Sequence, residues 1–217
     1  MESTWGSEQP SNSPNQPIAA RIVIGVTGQR KLDSSPTIID AIQTAIKRVK
    51  QMLPPLQSTP VVLTILSPIA EGADRLVAWE ILKSPGSTLE VVLPLEKEDY
   101  KLDFETAQSK VEFEELLSKA SSVKTLPSRG SRNDAYEKVG HYIVDQCDVL
   151  LALWNGRPSA GQGGTQEIVQ YARDINCPLI WINSDEPERV TLELGHGLNP
   201  RPFLDIDKYN SERFHAD

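Results

Sequence analysis

Val149-Leu150-Leu151-Ala152-Leu153-Trp154, then Gly161-Gln162-Gly163-Gly164-Thr165, then the amphipathic stretch 166–175: this order decides the fold. The apolar run is short and lacks polar alternation, so it reads as a strand buried on both faces. The glycines read as a loop, and the amphipathic stretch after them as a helix. A glycine loop opening a helix after a buried strand presents bare backbone N–H groups at the positive end of a helix dipole. Phosphate and other anions bind there.

Working outward, the same grammar repeats. Residues 21–27 read as a buried strand, with Gly28-Gln29-Arg30 turning out of it. Pro36 suits a helix start, and Ile38, Ile39, Ile42, Ala45, Ile46 and Val49 recur at helical spacing. Strands are expected at 61–66 and 89–94, a weak edge strand at 122–126, and a last strand at 178–182 opened by Pro178. Helices are expected at 75–82, at 104–120 with Val111, Leu116 and Leu117 inward, and at 134–147. Residues 1–20 read as a disordered leader, 21–183 as one domain, and 184–217 as a polar extension, with a last helical turn at 209–215. Apolar strands alternating with helices predict an α/β fold: a three-layer, doubly wound, mostly parallel sheet covered on both faces. Ligands of such sheets bind at the carboxyl ends of the strands, where strand order reverses. If the first strand is central, the loops after Thr27, Leu66 and Trp154 converge there, and each contains glycine.

Composition narrows the function. A net charge of -8 argues against a general nucleic-acid surface, which needs a basic stripe, while leaving room for a local positive pocket. No apolar run approaches the roughly 20 residues of a membrane-spanning helix. The first twenty residues lack the apolar core of a secretory signal, so a cytoplasmic location is expected. Cys147 and Cys177 fit no zinc motif and are expected as packed, reduced thiols. No cofactor or metal is expected.

Three segments together resemble one family: Gly25-Val26-Thr27-Gly28, Ala70-Glu71-Gly72-Ala73-Asp74, and residues 161–167 after Cys147-Asp148-Val149. In this order they look like the SLOG superfamily, over about residues 21–183. That Rossmann-like group includes the cytokinin-activating LOG phosphoribohydrolases, the DNA-processing Smf/DprA proteins and nucleotide-sensing domains of prokaryotic conflict systems. The resemblance implies a nucleotide-derived ligand across the three loops, and a homodimer. In LOG enzymes the loop reads PGGxGTxxE, and its glutamate and an upstream arginine act on the N-glycosidic bond. Here Gly161, Gly164 and Thr165 match, but Ala160 replaces the proline and Gln162 the second glycine. Glu167 follows the threonine by two residues rather than three, about 100° away around a helix. The arginine would fall near Val139, where Lys138, Gly140 and His141 are its neighbours. The resemblance therefore implies a ligand-binding relative, within a signalling or defence system and with a fused or associated effector. A LOG-like hydrolase or transferase and a DprA-like single-strand binder are the alternatives.

Each candidate residue also has a plainer use. Gly161, Gly163 and Gly164 are expected to hold phosphate, or simply to turn the chain. Thr165 is suited to cap the helix, bind ligand, or both. Gly28 permits close backbone approach, with Gln29 and Arg30 at the crevice mouth; a solvated arginine is the alternative. Glu71, Gly72 and Asp74 are placed near a ribose, although Asp74 equally suits the first turn of a helix and Arg75 could pair with it. Trp154 is expected as a wall. Asn155 reads first as part of a turn and second as a polar contact. Glu167 is the candidate general base, or else a first-turn carboxylate complementing the dipole. Asp99, Tyr100 and Asp103 lie beyond the third strand, within reach of the site, and are expected on a surface loop.

Overall fold

The structure, a computed structural model, describes residues 20–52, 61–127, 129–158 and 164–194. The expected leader, the 209–215 turn, and Gly161 and Gly163 lie outside the described residues. Strands β1 (Ala20–Gly28), β2 (Val61–Ser67), β3 (Thr88–Leu93), β4 (Ser122–Thr125), β5 (Val149–Leu153), β6 (Leu179–Ile182) and β7 (Val190–Glu193) form one sheet in the order β4-β3-β2-β1-β5-β6-β7. All neighbours are parallel except β6 and β7. The central strand β1 pairs Gly25 with Leu66 on one side and Gly28 with Leu153 on the other. After β4 the chain crosses back to β5, so strand order reverses between β1 and β5.

Helices cover both faces, giving the three-layer, Rossmann-like α/β architecture. On one face lie α1 (Pro36–Gln51), α2 (Ala73–Leu82) and α4 (Ala107–Lys119), whose Ile42, Val77 and Phe113 join Ile22, Ile24 and Leu63 of the sheet in one core. On the other, Val139 and Ile143 of α5 (Arg132–Gln146) and Ile168 of α6 (Thr165–Asp174) pack on Leu150 and Ala152. Pro36 occupies the first turn of α1, where its missing N–H costs nothing. A capping box between Ser131 and Asp134 starts α5. Among the described residues no helix is long and apolar enough to cross a membrane.

The structure departs from expectation in four places. The helix expected at 104–120 starts three residues later, as α4: Phe104 is extended, Thr106 caps α4 by accepting from the Ser109 amide, and a short α3 (Lys97–Tyr100) and a 3-10 turn (Lys101–Asp103) precede the segment. Val111 is 60% exposed rather than inward. Phe113 and Leu116 set the buried face, and a residue two positions before Phe113 lies about 200° around the helix. Third, β7 runs through the expected polar extension. Only Val190 of it is buried, so its sequence carries little of a strand's apolar signal. It is held by ladder pairing to β6 and by Arg173, which donates from Nε and Nη2 to Glu193 at 2.8 Å each. Fourth, Tyr100 is buried rather than on a surface loop, its ring clustered with those of Phe104 and Phe113. Cys147 and Cys177 are free and buried, their sulfurs 3.8 Å apart.

Glycine is required where the loops cross. At Gly72, φ is +79°, and an added Cβ would sit 2.3 Å from the Gln29 carbonyl oxygen and 2.4 Å from that of Arg30. Gly86 has a similar φ of +76°, but its Cβ would meet only a Val62 methyl at 3.8 Å. Gly86→Ala should therefore cost the left-handed strain alone, about 1–2 kcal/mol. Gly72→Ala should cost more, about 3 kcal/mol or above, because backbone must also move. Urea denaturation of both variants checks the ranking; equal losses would mean the loops are not in contact.

Candidate functional site

One residue ties the three glycine loops together through its backbone. The Gln29 amide donates to the Leu153 carbonyl at the end of β5, and its carbonyl accepts from the Ala73 amide at the start of α2, each at 3.0 Å. Its side-chain Oε1 lies within hydrogen-bond distance of the Ser184 hydroxyl. Gly28 fits only because it lacks a Cβ, which would lie 2.4 Å from the Ala73 methyl and 2.5 Å from the Leu153 oxygen. Gly28, Gln29 and Gly72 thus join loop to loop, and none of them lines the cavity that results.

That cavity, about 390 Å3, lies at the carboxyl ends of β1 and β2 beside α5 and the start of α6. Val26, Val139, Ile143 and Ile168 give it an apolar side; Thr27, Arg30, Asp74, Tyr100 and Tyr136 give it a polar one. Gly164 also lines it. Gly164, not Thr165, is the N-cap of α6, and Thr165 is the first helical residue. Gly164 has no side chain to cap with; its carbonyl accepts from the Glu167 amide at 3.0 Å, and the Thr165 and Gln166 amides, at the helix start, have no acceptor within the helix.

Asp74 stands in the first turn of α2 and is 5% exposed. Its Oδ2 accepts from the Ser67 hydroxyl at 3.0 Å and the Ala70 amide at 3.2 Å. Its Oδ1 accepts nothing from the described residues. Burial pushes the carboxyl up to about 6, against those two bonds and the charges of Arg30 and Arg75, which hold it down. Tyr100 is 1% exposed, packed edge-on against both Phe104 and Phe113, and burial raises its phenol. Its hydroxyl likewise has no partner among the described residues. There, Arg75 Nη2 is the sole fully buried side-chain polar atom left without a hydrogen bond. The free oxygens of Asp74 and Tyr100 therefore open onto the cavity.

Arg30 places its guanidinium 5.3 Å from the centre of the Tyr136 ring, and no described carboxylate lies within ion-pair distance of it. Most neighbouring cations are committed. Arg75 turns away from Asp74: it donates to the Ile69 and Ser109 carbonyls, the Ser109 hydroxyl and Glu112, with the Phe104 ring 4.5 Å away. Arg132 pairs with Asp99 at 3.0 Å and Asp103 at 2.9 Å, while the Tyr136 hydroxyl bonds Asp103. Those contacts clamp the segment carrying Tyr100 onto α5.

Several expected contacts lie elsewhere. Glu71 accepts from the Glu105 amide and the Ser109 hydroxyl, anchoring the start of α4, and with Gly72 it lines a neighbouring cavity of about 310 Å3. Asn155 accepts from the Arg157 amide in a turn. Trp154 donates to the Arg157 carbonyl and packs by Trp181. Glu167 is exposed on α6 and is not part of the cavity wall. Arg30, Asp74 and Gly164 do share the cavity; Tyr100, read as a surface-loop residue within reach of the site, lines it too, and Tyr136 was not foreseen there. The one sequence signal for Tyr100 was an aromatic pair, Tyr100 and Phe104, at helical spacing within a charged stretch. Among the described residues no cluster of His, Cys, Asp and Glu could hold a metal.

No family model and no curated protein matches this sequence. Among solved structures the chain is similar to a fucosyltransferase, NodZ, from Bradyrhizobium, at 14% identity and a TM-score of 0.40. The match covers 82% of this chain and 43% of that one, so this chain spans less than half of that enzyme.

The raised pKa of Asp74 has a consequence for stability. The folded protein holds this proton up to about pH 6, whereas the unfolded chain releases it near 3.8. The group's contribution therefore favours folding fully below about 3.8 and is lost as pH rises through about 6. A tenfold change in proton affinity is worth about 1.4 kcal/mol, so the difference is up to about 3 kcal/mol. Asp74→Asn removes it, so the variant should gain on the wild type by roughly 2–3 kcal/mol between pH 3.5 and pH 8 in urea titrations. A pH-independent difference would show that Asp74 titrates as a solvated carboxyl.

Proposed function

We propose that the protein binds a nucleotide-derived small molecule at the carboxyl edge of its sheet, as a SLOG-like binding or sensing domain. One observation carries the reading: Arg30, a guanidinium without a carboxylate partner among the described residues, shares a cavity with Gly164 at the start of α6, where strand order reverses. Both attract anions, and they do so at the position where doubly wound sheets bind their ligands. The cavity volume falls within the roughly 300–1,000 Å3 usual for small-molecule sites. A phosphate would lie between Arg30 and the Thr165 and Gln166 amides. Glycosidic hydrolysis is the second reading, favoured by the buried carboxyl in the cavity. Glu167, exposed outside the wall, offers it no base. The net charge of -8 speaks against DNA as the ligand. Assembly as a homodimer, and coupling to an effector in signalling or defence, belong to the same proposal by resemblance.

Thermal unfolding against AMP and other monophosphates, NAD, ADP-ribose and cyclic nucleotides tests this reading. A ligand at a hundred times its dissociation constant adds about 2.7 kcal/mol, a shift of several degrees at this size. Arg30→Ala should weaken binding by roughly ten- to a hundredfold, the worth of one hydrogen bond to a charged group. Glu167→Ala should leave it within about twofold. Recovering the ligand intact after incubation favours sensing, whereas release of free base supports hydrolysis. No shift with any of the panel would retire the nucleotide reading.

A further inference from the structure

Resting on that reading, we infer that Asp74 and Tyr100 form a hydroxyl-reading floor: the ligand is a sugar-bearing anion, held by at least one of its hydroxyl groups, and Tyr100 is a specificity-determining residue. The inference comes from how the two side chains are satisfied. Asp74 is fixed by its Oδ2, which takes both protein donors, from Ser67 and Ala70. Its Oδ1 has no partner among the described residues and keeps its full accepting capacity on a residue only 5% exposed, where an unmet hydrogen-bonding group is costly. Tyr100 comes from a different element and adds a second unpartnered oxygen to the same cavity. Two independent elements thus leave acceptor and donor capacity facing one space.

Charge decides what can fill it. A phosphate oxygen beside Asp74 would set two anions together in a poorly solvated place, so the phosphate belongs at the Arg30 and α6 end. An ammonium would meet Asp74 favourably but would also meet Arg30, whose charge reaches both Asp74 and Tyr100. A neutral hydroxyl avoids both conflicts: it donates to Asp74 Oδ1 and can accept from the Tyr100 phenol. Glu71, expected at a ribose, is bound to Glu105 and Ser109 and takes no part.

The test is calorimetric titration of the full chain with AMP, 2′-deoxy-AMP and 3′-deoxy-AMP. Wild type should bind one of the deoxy forms roughly ten- to a hundredfold more weakly than AMP. Tyr100→Phe keeps the ring packing and removes only the hydroxyl, and it should shrink that ratio to about threefold or less. Asp74→Asn should do the same. Arg30→Ala should weaken all three ligands by a common factor and leave the ratio intact, an outcome a merely structural role for Tyr100 would not produce. Equal binding of all three by wild type, or a ratio that survives both Tyr100→Phe and Asp74→Asn, overturns the inference while leaving nucleotide binding in place. If AMP does not bind, ribose 5-phosphate and 2-deoxyribose 5-phosphate are compared. Preference for the former keeps the hydroxyl-reading floor and retires the nucleotide, and binding of neither overturns both.

Discussion

The backbone of Gln29 is the constraint on which the site depends. Its amide closes onto the last residue of β5 and its carbonyl onto the first amide of α2, so one residue joins the ends of β1 and β5 to the start of α2. Backbone reaches backbone only because Gly28 and Gly72 present no side chain. A parallel sheet fixes where its strands end, but its loops are otherwise free to splay. Here they cannot, and the cavity beside them follows from that. Asp74, in the first turn of α2, and Arg30, next to Gln29, are carried into the same space as by-products of one join.

The electrostatics follow from which cations are already committed. The chain carries a net charge of -8, and the charged residues lining the cavity are one cation, Arg30, and one carboxyl, Asp74. Arg75 holds α2 to α4 with three donated bonds and gives a fourth to the Ile69 carbonyl, and Arg132 holds α3 and its following turn to α5. Arg30 is left over, resting against the Tyr136 ring rather than a carboxylate. A cation in that setting is poorly neutralised at short range, while the acidic surface around it repels polyanions. The combination suits a small anion and disfavours a nucleic-acid strand.

The sequence made the centre of the sheet legible and its margins much less so. β1, β2, β3 and β5 are near-continuous apolar runs because helices cover both their faces, and such runs can be recognised without context. β7 has one buried residue and exists through its pairing to β6, a tertiary fact that four residues of alternating character cannot announce. The site divides in the same way. Arg30 and Asp74 were legible because glycines mark the loops that bear them. Gly28 and Gly72 looked like room for a ligand, and the structure fills that room with carbonyl oxygens and a methyl group. A glycine declares that something comes close without saying what.

Tyr100 shows why the remainder could not be read. Its segment is charged along its length, with Lys97, Glu98, Asp99, Lys101 and Asp103 around the aromatic, and by composition it belongs in solvent. It is nevertheless held against the domain from both ends. Arg132 reaches from α5 to Asp99 and Asp103, while Lys97 and Lys101 bond Glu114 of α4 at 3.0 and 2.7 Å. The charges that make the stretch look exposed are the ones that fasten it. The buried ring then follows, packing against both Phe104 and Phe113, and its hydroxyl is delivered to the cavity. Arg132 is thus a positioning residue for Tyr100 without touching the cavity itself, and the polar floor of the site depends on ion pairs formed outside it.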